Sequence, residues 1–188
     1  MQDMERKAYK YRFYPTEDQS RELARTFGCV RYVYNWALAL RTEAWFDRQE
    51  RIDYAETDRL LVRMTKEPEK SWLAAVSCVP LQQTLRHLNA AFVNFFAGRA
   101  QYPRFHRKHD RQSATYRIGG FRWKDGALTL AKMDAPLTSV GRDLSAQSRP
   151  ASLSARTLPA ATSSPSRPRR RLPRYPWSTP RWGSTSDC

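Results

Sequence analysis

The hydrophobic pattern begins with an alternation. From Lys7 to Tyr14, Tyr9, Tyr11 and Phe13 fall on one face and Lys10 and Arg12 on the other, the period of a half-buried strand that Pro15 ends. Thr16 and Gln19 then form the spacing of a capping box, so a helix should start here, with Leu23 and Phe27 on its apolar stripe. Gly28 is expected to break it, because glycine is among the poorest helix formers. A second helix follows, with Val30, Val33, Tyr34, Ala37, Leu38, Ala44 and Trp45 sharing one face. Helices are also predicted over Asp53–Lys66, with Leu60, Leu61 and Met64 inward, and Glu69–Val76, with Trp72, Leu73 and Val76 inward. Pro68 separates the two. Pro80 suits the first position of a longer helix whose stripe runs Leu81, Leu85, Leu88, Phe92, Phe95 and Phe96, and Gly98 should stop it. Past Tyr116 the period returns to two: Phe121 and Trp123, an Asp125-Gly126 turn, then Leu128 and Leu130. The expected class is mainly α with a minor β part.

Composition divides the chain near Pro136. Residues 1–137 carry 24 basic and 16 acidic side chains with aromatics throughout, whereas residues 138–188 carry nine Arg, two Asp and no Lys. Ser, Pro, Arg, Thr and Ala make up 37 of those 51 residues, too little apolar surface to offset the entropy of ordering, so this tail is expected to be disordered. The layout is then a first strand over 1–15, a helical region over 16–99, a basic segment and hairpin over 100–137, and the tail over 138–188.

With 33 basic against 18 acidic residues, the formal charge is +15. An imbalance of that size disfavours compaction unless a polyanion neutralises it, which makes nucleic acid the expected partner class. Cys29, Cys78 and Cys188 are too few and too scattered for a disulfide framework or a zinc knuckle. No apolar run approaches the roughly 20 residues of a membrane helix and no signal pattern opens the chain, so a soluble, cytoplasmic protein is expected, without membrane contact or a small-molecule substrate.

Two stretches carry chemistry. The helix pair joined at Gly28 presents Arg31, Asn35 and Arg41 opposite its apolar stripe, which suits a helix-turn-helix in a major groove and equally suits ordinary packing. The segment Arg99–Lys124 interleaves Arg104, Arg107, Lys108, Arg111, Arg117 and Arg122 with Tyr102, Phe105, Tyr116, Phe121 and Trp123. Cations neutralise phosphates while aromatic faces stack on bases, a combination fitted to RNA or single-stranded DNA; a core of aromatics under solvated charges is the plainer alternative. Lys7, Lys10 and Arg12 add a basic strand face. His106 and His109 lack a further ligand for a metal, and Asp53 and Glu56 read as helix-start residues. No catalytic constellation emerges and no cofactor is expected in this chain.

The residues resemble one family. Ala8-Tyr-Lys-Tyr-Arg-Phe-Tyr-Pro-Thr16, Phe27-Gly-Cys-Val-Arg-Tyr-Val-Tyr-Asn-Trp-Ala-Leu38, Ser71-Trp-Leu73, Val79-Pro-Leu-Gln-Gln83, Ala91-Phe-Val-Asn-Phe-Phe96 and Tyr102-Pro-Arg-Phe105 are similar in order and spacing to the start of TnpB (OrfB-type) insertion-sequence transposases, over residues 7–137. The resemblance implies a first strand and hairpin belonging to a wedge-like β-barrel, a helical recognition region, and partners that are DNA and a guide RNA. It places Tyr54 and Gln82 near a short DNA motif. Full-length members are RNA-guided DNA endonucleases whose nuclease domain holds divalent metal and whose ribbon holds zinc. The tail offers only Asp143 and Asp187 as acids and lacks the zinc cysteines, so no enzymatic activity is expected of this chain. A single-base shift near Leu137 accounts for the change: read two bases downstream, Trp182–Cys188 permits Gly-Val-Asp-Leu-Gly-Leu, similar to the family's first nuclease motif. A stand-alone helix-turn-helix DNA-binding regulator is the alternative function.

Overall fold

The computed structural model describes residues 12–124, residues 127–138 and the backbone of 152–156. The first strand's residues up to position 11 lie outside these; Phe13 makes an isolated β-bridge. Thr16 and Gln19 cap helix α1 (Glu17–Arg48) as expected: the Gln19 amide donates to Thr16 Oγ1 at 3.3 Å and the Thr16 amide to Gln19 Oε1 at 2.9 Å. Glu17 and Asp18 in the first turn and Arg48 in the last complement the helix dipole.

Gly28 does not break that helix. Residues 17–48 form one element of 32 residues. Glycine costs about 1 kcal/mol in a helix interior, but Thr26, Phe27, Cys29 and Val30 around it are all buried, and each large apolar side chain so placed is worth about 1.5–3 kcal/mol. Burial on both sides of the glycine decides the outcome. The helix ends instead at Gln49, whose φ of 55° is left-handed.

Asp53 caps α2 (Tyr54–Met64), its carboxylate accepting from the Glu56 amide at 2.7 Å. The helix predicted over Glu69–Val76 is present as a 3-10 helix, Pro68–Ala75, with Lys70 off helical geometry. Ser77 caps α3 (Cys78–Phe96), so Pro80 sits at the third helical position, still within the first turn where its missing amide costs nothing. Gly98, at φ 68°, turns the chain away one residue after the Ala97 cap.

Two antiparallel sheets follow. β1 (Ser113–Arg117) pairs with β5 (Ser152–Arg156), with Tyr116 opposite Leu153. β2 (Phe121–Lys124), β3 (Ala127–Leu130) and β4 (Leu137–Thr138) form the other in that order. The register Lys124↔Ala127 matches the expected two-residue hairpin connection, whose own residues 125–126 lie outside the described set. The strand at 152–156 departs from the expectation of a structureless tail. Backbone pairing requires only extended residues, and the alternation of Ser152, Ser154 and Arg156 with Leu153 and Ala155 is strand-like. The rest of the tail lies outside the described residues.

The core sits where α1 packs on α3, and α3 in turn meets α2 and β1. Val33, Ala37, Leu38, Leu73, Leu81, Leu85, Leu88 and Tyr116 are buried in it. Trp45, Trp72 and Phe96, expected inward, remain 43%, 43% and 66% exposed. Trp45 and Phe96 stand in the last turns of their helices, and Trp72 meets Tyr32 edge-to-face at 4.9 Å between centroids. Among the described residues no helix is long and apolar enough to cross a membrane.

Candidate nucleic-acid interface

Residues 99–112 form an irregular segment with a turn at 108–110, and apolar and polar anchors fix it. Tyr102 inserts its ring edge-on to Phe92 and Phe95, at 5.6 and 5.2 Å, while its hydroxyl meets Thr42 Oγ1 at 2.7 Å. Pro103 is buried beside it. The His106 imidazole stacks on Tyr34 with centroids 3.9 Å apart and planes 7° from parallel. Asn35 then holds the His106 backbone from both sides: its amide nitrogen donates to the carbonyl at 2.9 Å, and its oxygen accepts from the backbone N–H at 2.9 Å. The Asp110 carboxylate accepts from the Arg107 amide at 2.7 Å, closing a local turn.

The charges stay outside this framework. Arg104, Arg107, Lys108 and Arg111 are all exposed, and among the described residues none of them forms an ion pair. Ion pairs occur elsewhere, at Arg21–Asp18, Arg48–Glu50 and Lys70–Glu67. Phe105 projects among these cations with 56% of its surface exposed. The segment is thus a pinned strip of four exposed cations, with the single acid Asp110 among them, around one largely exposed ring.

Other expected contact residues divide in use. Arg12 is exposed, whereas Lys7 and Lys10 lie outside the described residues. Arg31 is partly buried on α1. Asn35 and Arg41 make contacts with the protein itself: Asn35 clamps His106, and the Arg41 guanidinium lies 4.3 Å over the Phe92 ring and donates to Asn89 Oδ1 at 3.3 Å. Burial, aided by the charge of Arg51, pulls the Arg41 pKa below its ordinary value. With α1 continuous through Gly28, the break between two helices expected there does not occur.

Tyr54 and Gln82 do share a region. Tyr54 opens α2, and its hydroxyl accepts from Arg86 Nε at 3.1 Å while the guanidinium lies 5.5 Å from its ring centroid. Arg86 stands one turn after Gln82 on α3, on the same face. Sequence reasoning missed Arg86, although the four-residue spacing from Gln82 on a helix was the signal available. The pair Tyr54–Arg86 and the partly buried Gln82 form a second polar surface, where α2 packs against α3.

Among the described residues no three His, Cys, Asp or Glu side chains gather to hold an ion. Burial holds the His106 and His87 imidazoles below their ordinary pKa, with Asp110 partly opposing this at His106. Cys29 is buried, which raises its thiol pKa, and Cys78 is exposed; both are free thiols.

Comparison with known proteins gives the family. A family model described as a helix-turn-helix domain of the OrfB/IS605 type matches residues 1–50. A protein of Streptomyces pristinaespiralis named "Putative RNA-guided DNA endonuclease" is 52% identical over 138 residues, covering 73% of this chain and 34% of that relative. The chain belongs to the OrfB/TnpB IS605 family. A second relative of this family, the Escherichia coli K12 protein of the same name with the designation InsQ, is 34% identical over 112 residues, 60% of this chain and 28% of its own length. This OrfB/TnpB chain therefore spans about a third of the length of these two curated relatives. The virulence protein VsdF of Salmonella dublin is 30% identical over 114 residues, 56% of this chain and 96% of that relative. The helix-turn-helix of the family model is not a break within residues 17–48; the first turn between helices in this OrfB/TnpB chain lies between Arg48 and Tyr54.

Proposed function

We propose that this chain is the nucleic-acid-binding part of a TnpB-type RNA-guided system, separated from nuclease chemistry. The strip Arg104–Arg111 is the observation that carries the reading: four exposed cations that form no ion pair among the described residues, on a segment fixed by Asn35 and Tyr34. Binding to phosphate is then driven by counterion release. The relatives' names add that such proteins act on DNA under RNA guidance. On this reading the strip grips backbone phosphates, while Tyr54, Gln82 and Arg86 face a short DNA motif, with Arg86 fixing the direction of the Tyr54 hydroxyl. The sheets are part of a wedge-like barrel. The catalytic acids belong to sequence beyond the matched portion, and a frame change near Leu137 separates them from it.

The test is a filter-binding titration of the full chain at two salt concentrations, against duplex DNA and against structured RNA. Affinity should fall steeply as salt rises, and neutralising Arg104, Arg107, Lys108 and Arg111 should flatten the dependence. Absent or salt-independent binding removes the proposal. Sequencing the gene through the codons after Leu137 tests the frame change; a shifted frame without the acidic motif removes that part alone.

A further inference from the structure

Phe105 is the feature that phosphate gripping does not use. Its neighbours are the anchored residues: Tyr102 is part-buried and Pro103 buried before it, and His106 after it lies flat on the Tyr34 ring. The Asn35 clamp and the Tyr34 stack act on the residue immediately following, so the Phe105 backbone cannot rotate to bury its ring without breaking both. Among the described residues Phe105 makes no ring contact of its own. Arg104 precedes it, and Arg107, Lys108 and Arg111 follow, all exposed.

We infer that Phe105 is a stacking platform for an unpaired nucleotide, and that Asn35 is the positioning residue that holds it out. The inference rests on the nucleic-acid reading above and deepens it by naming a single-stranded stretch as the occupant of this strip. An exposed aromatic face attracts the face of a base, and only an unpaired strand can turn bases outward while its phosphates reach the cations. A double helix keeps its bases stacked on one another and meets the same surface with phosphates alone. The charge around the ring excludes a plain apolar partner, since a hydrophobic segment docking on Phe105 would desolvate cations without compensating them.

The experiment compares the full-length wild type, Phe105→Ala and Asn35→Ala for binding to a short oligothymidylate and to a duplex of similar length. Phe105 is exposed, so its alanine variant should keep the wild-type melting temperature. Removing the ring should weaken single-strand binding about tenfold, within the range for one stacked base, and leave duplex binding unchanged. The slope of affinity against salt should be unaltered, because no charge is lost. Asn35→Ala should reproduce the single-strand loss with the same salt slope, and Phe105→Trp should restore affinity. Equal weakening of single-strand and duplex binding, or none in Phe105→Ala, overturns the inference and leaves the nucleic-acid reading standing. A wild type that binds neither probe overturns both.

Discussion

The packed helices and the strip they carry are ordered by different forces. Between α1 and α3, Val33, Leu38, Leu81, Leu85 and Leu88 are almost fully buried, and order comes from many interchangeable apolar contacts. Along residues 102–110, a small apolar anchor at Tyr102 and Pro103 is supplemented by directional contacts, among them a hydroxyl pair, a ring stack, an amide clamp and a carboxylate-to-amide bond. The first arrangement degrades gradually and sets stability. The second can be dismantled one contact at a time with little loss of stability, and it sets how the charges are displayed. A binding surface that must be both rigid and solvated is built in this second way, since apolar burial would hide the groups that bind.

The comparison breaks first where burial is greatest. Leu38→Ala or Leu85→Ala should each cost about 2–5 kcal/mol, read as a shift of the denaturant midpoint. Losses no larger than those of surface substitutions would mean that these helices do not share a core. Next comes the β1–β2 turn, where a Cβ added at Gly120 would lie 2.9 Å from Val79 Cγ1, against a branched side chain at the start of α3. Gly120→Ala should therefore destabilise by about 1–3 kcal/mol, and an unchanged melting temperature would contradict the close approach. Gly28 has the opposite sign. A Cβ there meets nothing within 4 Å, and the residue is inside a helix, so Gly28→Ala should stabilise by roughly 1 kcal/mol. Destabilisation by that substitution would restore a break between two helices.

The smallest expected effect is on pH. Burial lowers the imidazole pKa of His106 and His87, so below the ordinary value near 6.5 the unfolded chain binds more protons than the folded one. Stability should decline gently as pH falls from 7 through that value toward the lowered ones, and level off below them. His106→Gln combined with His87→Gln should flatten the decline, as thermal melts at successive pH values would show.

Where hydrophobic spacing is the cause of structure, the sequence was legible. The capping box at Thr16, the cap at Asp53, the stop at Gly98 and the two-residue hairpin connection all follow from local rules. Gly28 shows where such rules fail, because a local penalty of about 1 kcal/mol is outweighed by burial that only the tertiary fold supplies. Trp45, Trp72 and Phe96 fit a helical stripe yet stay exposed, since periodicity says which face a residue lies on and not where the neighbouring element ends. At the candidate site, the basic segment was visible as composition. Its anchoring was not, because Asn35 reaches His106 across 71 residues of sequence and Tyr34 meets the same residue. Arg41 and Asn35 looked like free polar groups for the same reason.

Gln19 has a consequence for synthesis. Beyond closing the cap with Thr16, it is 7% exposed and donates from Nε2 to the carbonyl of Pro136 at 3.0 Å, across 117 residues. A ribosome releases the opening turn of α1 long before it has made Pro136, so on the nascent chain this amide hydrogen is satisfied by water. The bond closes only after the whole helical stretch has emerged, which makes the start of the longest helix one of the last places to reach its final state.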